Sequence, residues 1–184
     1  MKVLVISSSP NDDGLTAACA RAAIEGTAAA GHQAEAVRLN DLDIGLCRAC
    51  GNGWGPCREE HRCCQEDDLD DLLTRMTAAD ALVLVTPVYF GEPSESMKAM
   101  LDRVRRCTFL VPEGPDSLAS TPVLAVAAAG GSGNGAVTCL ETMERWIQHV
   151  GAKKTDFIAV TRFTRSYKME QIAEAVRSML TSPV

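Results

Sequence analysis

With 184 residues, 46% of them apolar and 23% charged, the chain has the composition of one soluble globular domain able to bury a full core. Its net charge of −6 argues against nucleic acid as a partner, since a polyanion is held by a basic face. No apolar run approaches the ~20 residues of a membrane span, and the opening MKVLVISSSP is too short and too β-like for a signal peptide; no membrane and a cytoplasmic location are expected. Residues 2–6 form a short continuous apolar run, as in a strand buried on both faces. Residues 15–30 are Ala-rich and helical, with Gly31 placed to close the helix. Residues 33–39 alternate weakly and read as a second strand, and residues 41–66 form a cysteine-rich insertion. Over 67–78, Leu69, Leu72, Leu73 and Met76 share one helical face, and aspartates crowd the first turns, where the helix dipole favours anions. A third buried strand follows at 81–85. Met97, Met100, Leu101 and Val104 mark the next helix. A strand at 122–128, a helix at 137–150 closed by Gly151, a strand at 157–160 and a helix striped by Met169, Ile172, Val176 and Met179 complete the chain.

Alternating strands and helices predict a parallel sheet with helices on both faces, joined by right-handed crossovers. No internal repeat, long linker or low-complexity tract divides residues 1–184, so a single α/β domain is expected. In such a sheet ligands bind beyond the carboxyl ends of the strands, at the switch in strand order.

Three loops fall at that edge. Ser7-Ser8-Ser9-Pro10-Asn11-Asp12-Asp13-Gly14-Leu15-Thr16 leaves the first strand and opens the first helix. Hydroxyls and backbone N–H groups at a helix N-terminus suit one phosphate, although Asp12 and Asp13 oppose an anion unless their side chains face solvent. An ordinary capped turn is the alternative; no GxGxxG or Walker loop is present. The third strand ends in Thr86-Pro87-Val88-Tyr89-Phe90-Gly91-Glu92-Pro93-Ser94, whose aromatics either border a flat ring or simply pack a turn. The fourth ends in Gly130-Gly131-Ser132-Gly133-Asn134-Gly135, which either brings backbone donors close to a ligand or is a flexible loop.

The segments SSSPNDDGLT and TPVYFGEPSESMKAMLDR, with the glycine loop after the fourth strand, resemble the NAD(P)H-dependent FMN reductases of flavodoxin-like fold. The resemblance runs from residue 1 to about 149. With CRACGNGWGPCREEHRC and the following Asp67-Asp68, it points to the branch containing the iron–sulfur flavoproteins. It implies a three-layer α/β/α fold with a five-stranded parallel sheet in the order 2-1-3-4-5. It further implies FMN, its phosphate on Ser9, Asn11, Leu15 and Thr16 beside Ser7, and its ring against Pro87, Val88, Tyr89, Phe90 and Gly91, with Gly130 and Gly131 near the polar edge. Ser8 stands where the family usually has Gly, Asn11 where it often has Arg, and Leu15 where it often has Asn; these changes keep backbone donors and remove side-chain contacts. A homodimer or homotetramer is also implied.

Five of the eight cysteines lie within residues 47–64, spaced C-x2-C-x6-C-x5-C-C. Reduced clustered thiols read as metal or redox ligands rather than a disulfide framework. The first pair matches the opening of the iron–sulfur flavoprotein pattern, whose third cysteine falls here on Gly53. Cys57 can replace it if the glycine-rich turn bends back, and Cys63 matches the fourth ligand better than Cys64. Cys47, Cys50, Cys57 and Cys63 suit a [4Fe–4S] cluster or zinc; structural thiols without metal are the third reading. Cys19, Cys107 and Cys139 read as small core residues. His61 reads as a solvated loop residue, and Lys98, Asp102 and Arg103 as a solvated helix face. Trp54 either covers a flavin or caps the insertion.

Together these features predict a flavoprotein that takes hydride from NADH or NADPH onto FMN and passes electrons to a small-molecule oxidant or a protein electron carrier, with no essential side-chain acid or base. A flavodoxin-like electron shuttle and a zinc-stabilised binding domain are the competing readings.

Overall fold

The computed structural model describes residues 1–108, 111 and 117–181. Five parallel strands, β1 (Lys2–Ser7), β2 (Gln33–Arg38), β3 (Ala81–Tyr89), β5 (Pro122–Ala129) and β6 (Lys153–Thr161), form a sheet in the order β2-β1-β3-β5-β6. Counting only these, the order is the expected 2-1-3-4-5. An additional two-residue strand, β4 (Glu92–Pro93), folds back antiparallel on the end of β3.

The central strands bury both faces, and on β1 and β3 the side chains sort the two layers by size. Leu4, Ile6, Leu82 and Leu84 face a core completed by α2 (Leu69–Thr77), α3 (Glu95–Cys107) and α4 (Ala136–His149). The intervening Val3, Val5, Val83 and Val85 face α1 (Leu15–Ala29) and α5 (Arg165–Thr181). On β1 and β3 period-two alternation thus sends larger side chains one way and smaller ones the other, while β5 reverses it, with Leu124 on the side of α1 and α5 and Ala125 and Ala127 on the opposite side. The small-residue face suits an Ala-rich α1, which packs closely on α5.

Two strands are longer than their apolar patterns suggest. β3 continues through Pro87, which is paired with Ala128 of β5, so the aromatic loop begins on the sheet itself. β6 starts at Lys153 because it pairs with Pro122, although Lys153, Lys154, Thr155 and Asp156 are exposed. That polar end belongs to an edge strand, where lysines discourage pairing with another chain. The helix expected over 67–78 begins at Leu69, leaving Asp67 ahead of it.

The contact between α1 and α5 turns on Gly26. A Cβ built there would lie 2.6 Å from the Ala173 carbonyl oxygen and 2.7 Å from its Cα. Alanine at an exposed helix position gains about 0.5–1 kcal/mol over glycine, but here backbone must yield. Gly26→Ala is therefore expected to lower stability by about 1–3 kcal/mol, read as a lower urea midpoint; a raised midpoint would show that the two helices separate freely.

Candidate functional site

The start of α1 leaves its first backbone donors open. Its N-cap is Gly14, with no side-chain capping bond, and its first backbone bond runs from the Ala18 N–H to the Gly14 carbonyl. The N–H groups of Leu15, Thr16 and Ala17 precede that bond, and the positive end of the helix dipole lies with them. Ser7, Ser9 and Thr16 are buried beside this end; the Asn11 N–H donates to Ser9 Oγ at 3.2 Å. The Asp12 carboxylate is drawn away, 2.5 Å from the Arg38 guanidinium and largely exposed, and Asp13 is exposed. Neither carboxylate needs to oppose a phosphate.

A buried hydroxyl network fixes this loop to its neighbours. Ser8 Oγ donates to Thr86 Oγ1 at 3.0 Å. Ser94 Oγ lies 2.9 Å from Ser8 Oγ and 3.1 Å from the Ser8 carbonyl oxygen, and the Ser94 N–H donates to Thr86 Oγ1 at 3.0 Å. Ser94 also caps α3 by accepting from the Met97 N–H. Three hydroxyls thus join the β1 loop, the end of β3 and the start of α3. In the sequence Ser8, Thr86 and Ser94 lie in separate loops, and nothing local announces bonds spanning 78 and 86 positions.

Beside it, the ends of β3 and β5 enclose a cavity of about 520 Å³ lined by Val88, Phe90, Gly91, Gly131 and Thr138. Four of the residues expected around the ring meet there. Pro87 is held in the sheet and Tyr89 pairs with Glu92. Gly130 instead faces α1, where an added Cβ would lie 4.0 Å from Leu15 Cβ. The two loops touch through backbone: a Cβ on Gly135 would fall 2.7 Å from Gly91 Cα, and one on Gly91 would fall 2.7 Å from Thr138 Oγ1. Phe90, at φ 51°, stands fully exposed at the rim. A bulky residue in left-handed conformation is strained, and such strain collects at binding sites. Ser132 and Asn134 add polar groups to the cavity wall.

The second site is the cysteine segment. Ala49, Gly51, Asn52 and Gly53 all take positive φ, which turns the chain back on itself. Cys47, Cys50, Cys57 and Cys63 consequently line one cavity of about 20 Å³, together with Cys64 and, from α3, Cys107. Cys50 Sγ and Cys64 Sγ are 3.3 Å apart. The Cys64 thiol is pushed up, first by its hydrogen bond with Cys50 and then by desolvation. Burial pushes the Cys107 thiol up to about 12, helped by the charges of Cys63 and Cys57; burial does the same to Cys19 and Cys139. These last two are core residues, as their sequence context suggested. Among the described residues no three His, Cys, Asp or Glu side chains converge as a metal site. His61, read as solvated, is only partly exposed, and its Nδ1 is buried without a partner.

Arg103 corrects the expectation of a solvated face. It is 1% exposed and binds Asp67 through Nη1 at 2.5 Å and Nη2 at 3.0 Å; Nη1 also donates to the Gly45 carbonyl at 3.1 Å. Asp67 accepts in addition from the N–H groups of Gly45 and Leu69. Burial pushes the Asp67 carboxyl up, but the Arg103 bonds, the two N–H groups and the guanidinium charge outweigh it and hold it below its ordinary value. Burial likewise works against the Arg103 charge, and its bonds to Asp67, helped by the neighbouring Cys63 sulfur, overcome that. Lys98 and Asp102 do remain on the surface, 3.7 Å apart.

The family described as NADPH-dependent FMN reductase matches residues 1–158. The chain belongs to that family. Among curated proteins, an iron-sulfur flavoprotein of Methanocaldococcus jannaschii is 38% identical over 105 residues, 57% of this chain and 52% of that protein. One of Methanosarcina thermophila is 31% identical over 138 residues, 73% of this chain and 66% of that protein. The chain thus spans about half to two thirds of the length of these relatives. The fold is shared with an NAD(P)H:quinone oxidoreductase from Methanothermobacter marburgensis, at TM-score 0.75 and 16% identity, covering 100% of this chain and 99% of that one. It is shared also with an azoreductase from Bacillus anthracis, at TM-score 0.70 and 15% identity, covering 97% and 99%. No helix among the described residues is long and apolar enough to cross a membrane.

In this FMN reductase family member the Asp67–Arg103 pair closes the stem of the cysteine segment. Asp67→Asn leaves a buried guanidinium without its anion, and should cost about 3–5 kcal/mol in urea unfolding. Because the Asp67 pKa is depressed by folding, its contribution is complete above the unfolded carboxylate range, near pH 4. It is lost as pH falls through the folded value below that. The variant should therefore show a shallower fall in stability on acidification; parallel pH profiles for the two proteins would assign the acid sensitivity elsewhere.

Proposed function

We propose that this chain is an FMN-dependent NAD(P)H oxidoreductase that delivers electrons to a quinone-like oxidant or to an electron carrier. The observation that carries this reading is the placement of an uncapped helix start and a ring-sized cavity side by side on one sheet edge. FMN, when bound, supplies the hydride and electron chemistry; the protein binds it, orients it and shapes the space beside it. In this reading the N–H groups of Leu15 and Thr16 and the hydroxyls of Ser9 and Thr16 hold the phosphate, with Asn11 and Ser7 beside it. Val88, Phe90, Gly91 and Gly131 border the ring, and the preceding Pro87, Tyr89 and Gly130 fix those loops. A homodimer or homotetramer belongs to this reading, because the fully exposed Phe90 at the rim gains a cover from a neighbouring subunit.

The cysteine segment extends it. Cys47, Cys50, Cys57 and Cys63 are soft donors on one cavity, the donor set of a [4Fe–4S] cluster or zinc, and a cluster there would supply single-electron transfer. As it stands the cavity has room for about one water, so the thiols must rearrange locally to admit a metal. Anaerobic reconstitution followed by iron, sulfide and zinc analysis tests this part separately from the flavin.

Acid-released flavin is expected to run as FMN; stoichiometric FAD would overturn the assignment, because only one phosphate-type loop is present. Thr16→Val should weaken FMN binding by about 1–2 kcal/mol, the loss of one hydrogen bond to a charged group, and unchanged affinity would place the phosphate elsewhere. One ring cavity leaves donor and acceptor to use it in turn, so initial rates should give parallel double-reciprocal lines; intersecting lines would show both bound together.

A further inference from the structure

The cavity lined by thiols is also lined by two guanidinium groups, which neither the flavin site nor the thiol ligands account for. Arg103 and Arg106 of α3 stand three residues apart on one helical face and both border it. The terminal nitrogens of Arg103 are taken by Asp67 and Gly45, but its Nε–H is buried with no acceptor. Arg106 donates through Nη1 to the Gly53 carbonyl, and its guanidinium lies 4.8 Å from the Trp54 ring centroid. Its Nε–H is buried without an acceptor as well.

Buried N–H groups are rarely left unpaired. Two of them at one small space rich in sulfur point to an acceptor that belongs there. Charge points the same way. Asp67 neutralises Arg103, whereas the half-buried Arg106 forms no ion pair among the described residues, so its positive charge borders the cavity without an anion beside it. A partly desolvated guanidinium at a small cavity favours an anion within it. Four thiolates around a divalent metal ion, or around an oxidised [4Fe–4S] core, carry two negative charges in excess. The Trp54 ring adds a cation–π contact to Arg106.

We propose that Arg103 and Arg106 are the built-in counter-charge of an anionic tetrathiolate centre in this cavity, with their Nε–H groups donating to its sulfur atoms. The inference rests on reading Cys47, Cys50, Cys57 and Cys63 as a soft-metal site, and holds for either iron–sulfur or zinc. Arg103 fixes the stem of the segment through Asp67, while Arg106 carries the uncompensated charge. Donors to ligand sulfur stabilise the bound anion and favour addition of an electron to it.

The test uses the full, FMN-loaded chain, reduced and handled anaerobically, with Arg106→Gln and Arg106→Lys beside wild type. Glutamine keeps a donor for the Gly53 carbonyl and removes the charge; lysine keeps the charge and removes Nε. Zn2+ affinity, measured by chelator competition, should fall roughly tenfold in R106Q, the size of effect expected for a partner of metal ligands, and by less in R106K. FMN content and melting temperature should stay at wild-type values, showing that the fold is retained. After iron–sulfide reconstitution, the centre in R106Q should reduce at a more negative potential. Wild-type zinc affinity in R106Q, or an unshifted potential in its iron-loaded form, overturns the proposal. If wild type takes up zinc but no iron, the iron–sulfur reading fails and the zinc series still decides the role of Arg106. If it takes up neither metal, the tetrathiolate centre and its counter-charge fall together, while FMN content and NAD(P)H turnover judge the oxidoreductase reading independently.

Discussion

Every strand of the main sheet runs in the same direction, and both of its faces are covered by helices. A parallel sheet cannot be closed by tight hairpins, so each strand is followed by a crossover that starts at the same edge. The loop after β1, the turn after β3 and the glycine run after β5 are thereby delivered to one place. None of these loops contains a residue whose chemistry alone would mark a site. Their joint position creates one: an uncapped helix start, a buried set of hydroxyls and a cavity between two loops whose backbones nearly touch.

That edge is rigid at its base and open at its rim. Ser8, Thr86 and Ser94 exchange short hydrogen bonds in a buried setting, where a polar network that satisfies itself is strongly specifying. The approach of Gly91 to Gly135 leaves no room for a side chain on Gly135, and Thr138 Oγ1 bars one on Gly91, so the two loops pack tightly. Phe90 is the exception. It is exposed and left-handed, and the hydroxyl network does not reach it.

The cysteine segment hangs from a separate anchor. The Asp43 N–H donates to Asp68, and the Asp68 N–H to the Asp43 carbonyl. Asp67 draws in both Gly45 and Arg103. The two ends of the excursion are tied together and to α3, and the thiols between them are placed by that stem and by a run of left-handed residues. A loop built this way can open at its tip while its base stays fixed, since the base depends on a buried ion pair rather than on the thiols.

The order of strands and helices was legible in the residues themselves, because apolar runs and helical stripes are local signals read over a few positions. So was the polar, glycine-containing opening of α1, and so was the crowding of thiols between residues 47 and 64. Nothing local distinguishes Arg103 from the neighbouring Asp102 and Arg105, which do lie at the surface. Its burial follows from a partner 36 positions away that only the packing of the segment stem against α3 provides. Cys107 reads as one more small apolar residue on a helix, yet the same packing brings it to the thiol cavity. The hydroxyl network is of the same kind, as is the start of β6 at Lys153, where pairing with β5 outweighs an unpromising polar sequence. Sequence periodicity determines which face of each element is buried; which distant charge or hydroxyl meets it there is decided by topology, because contacts across the sheet depend on strand order and register.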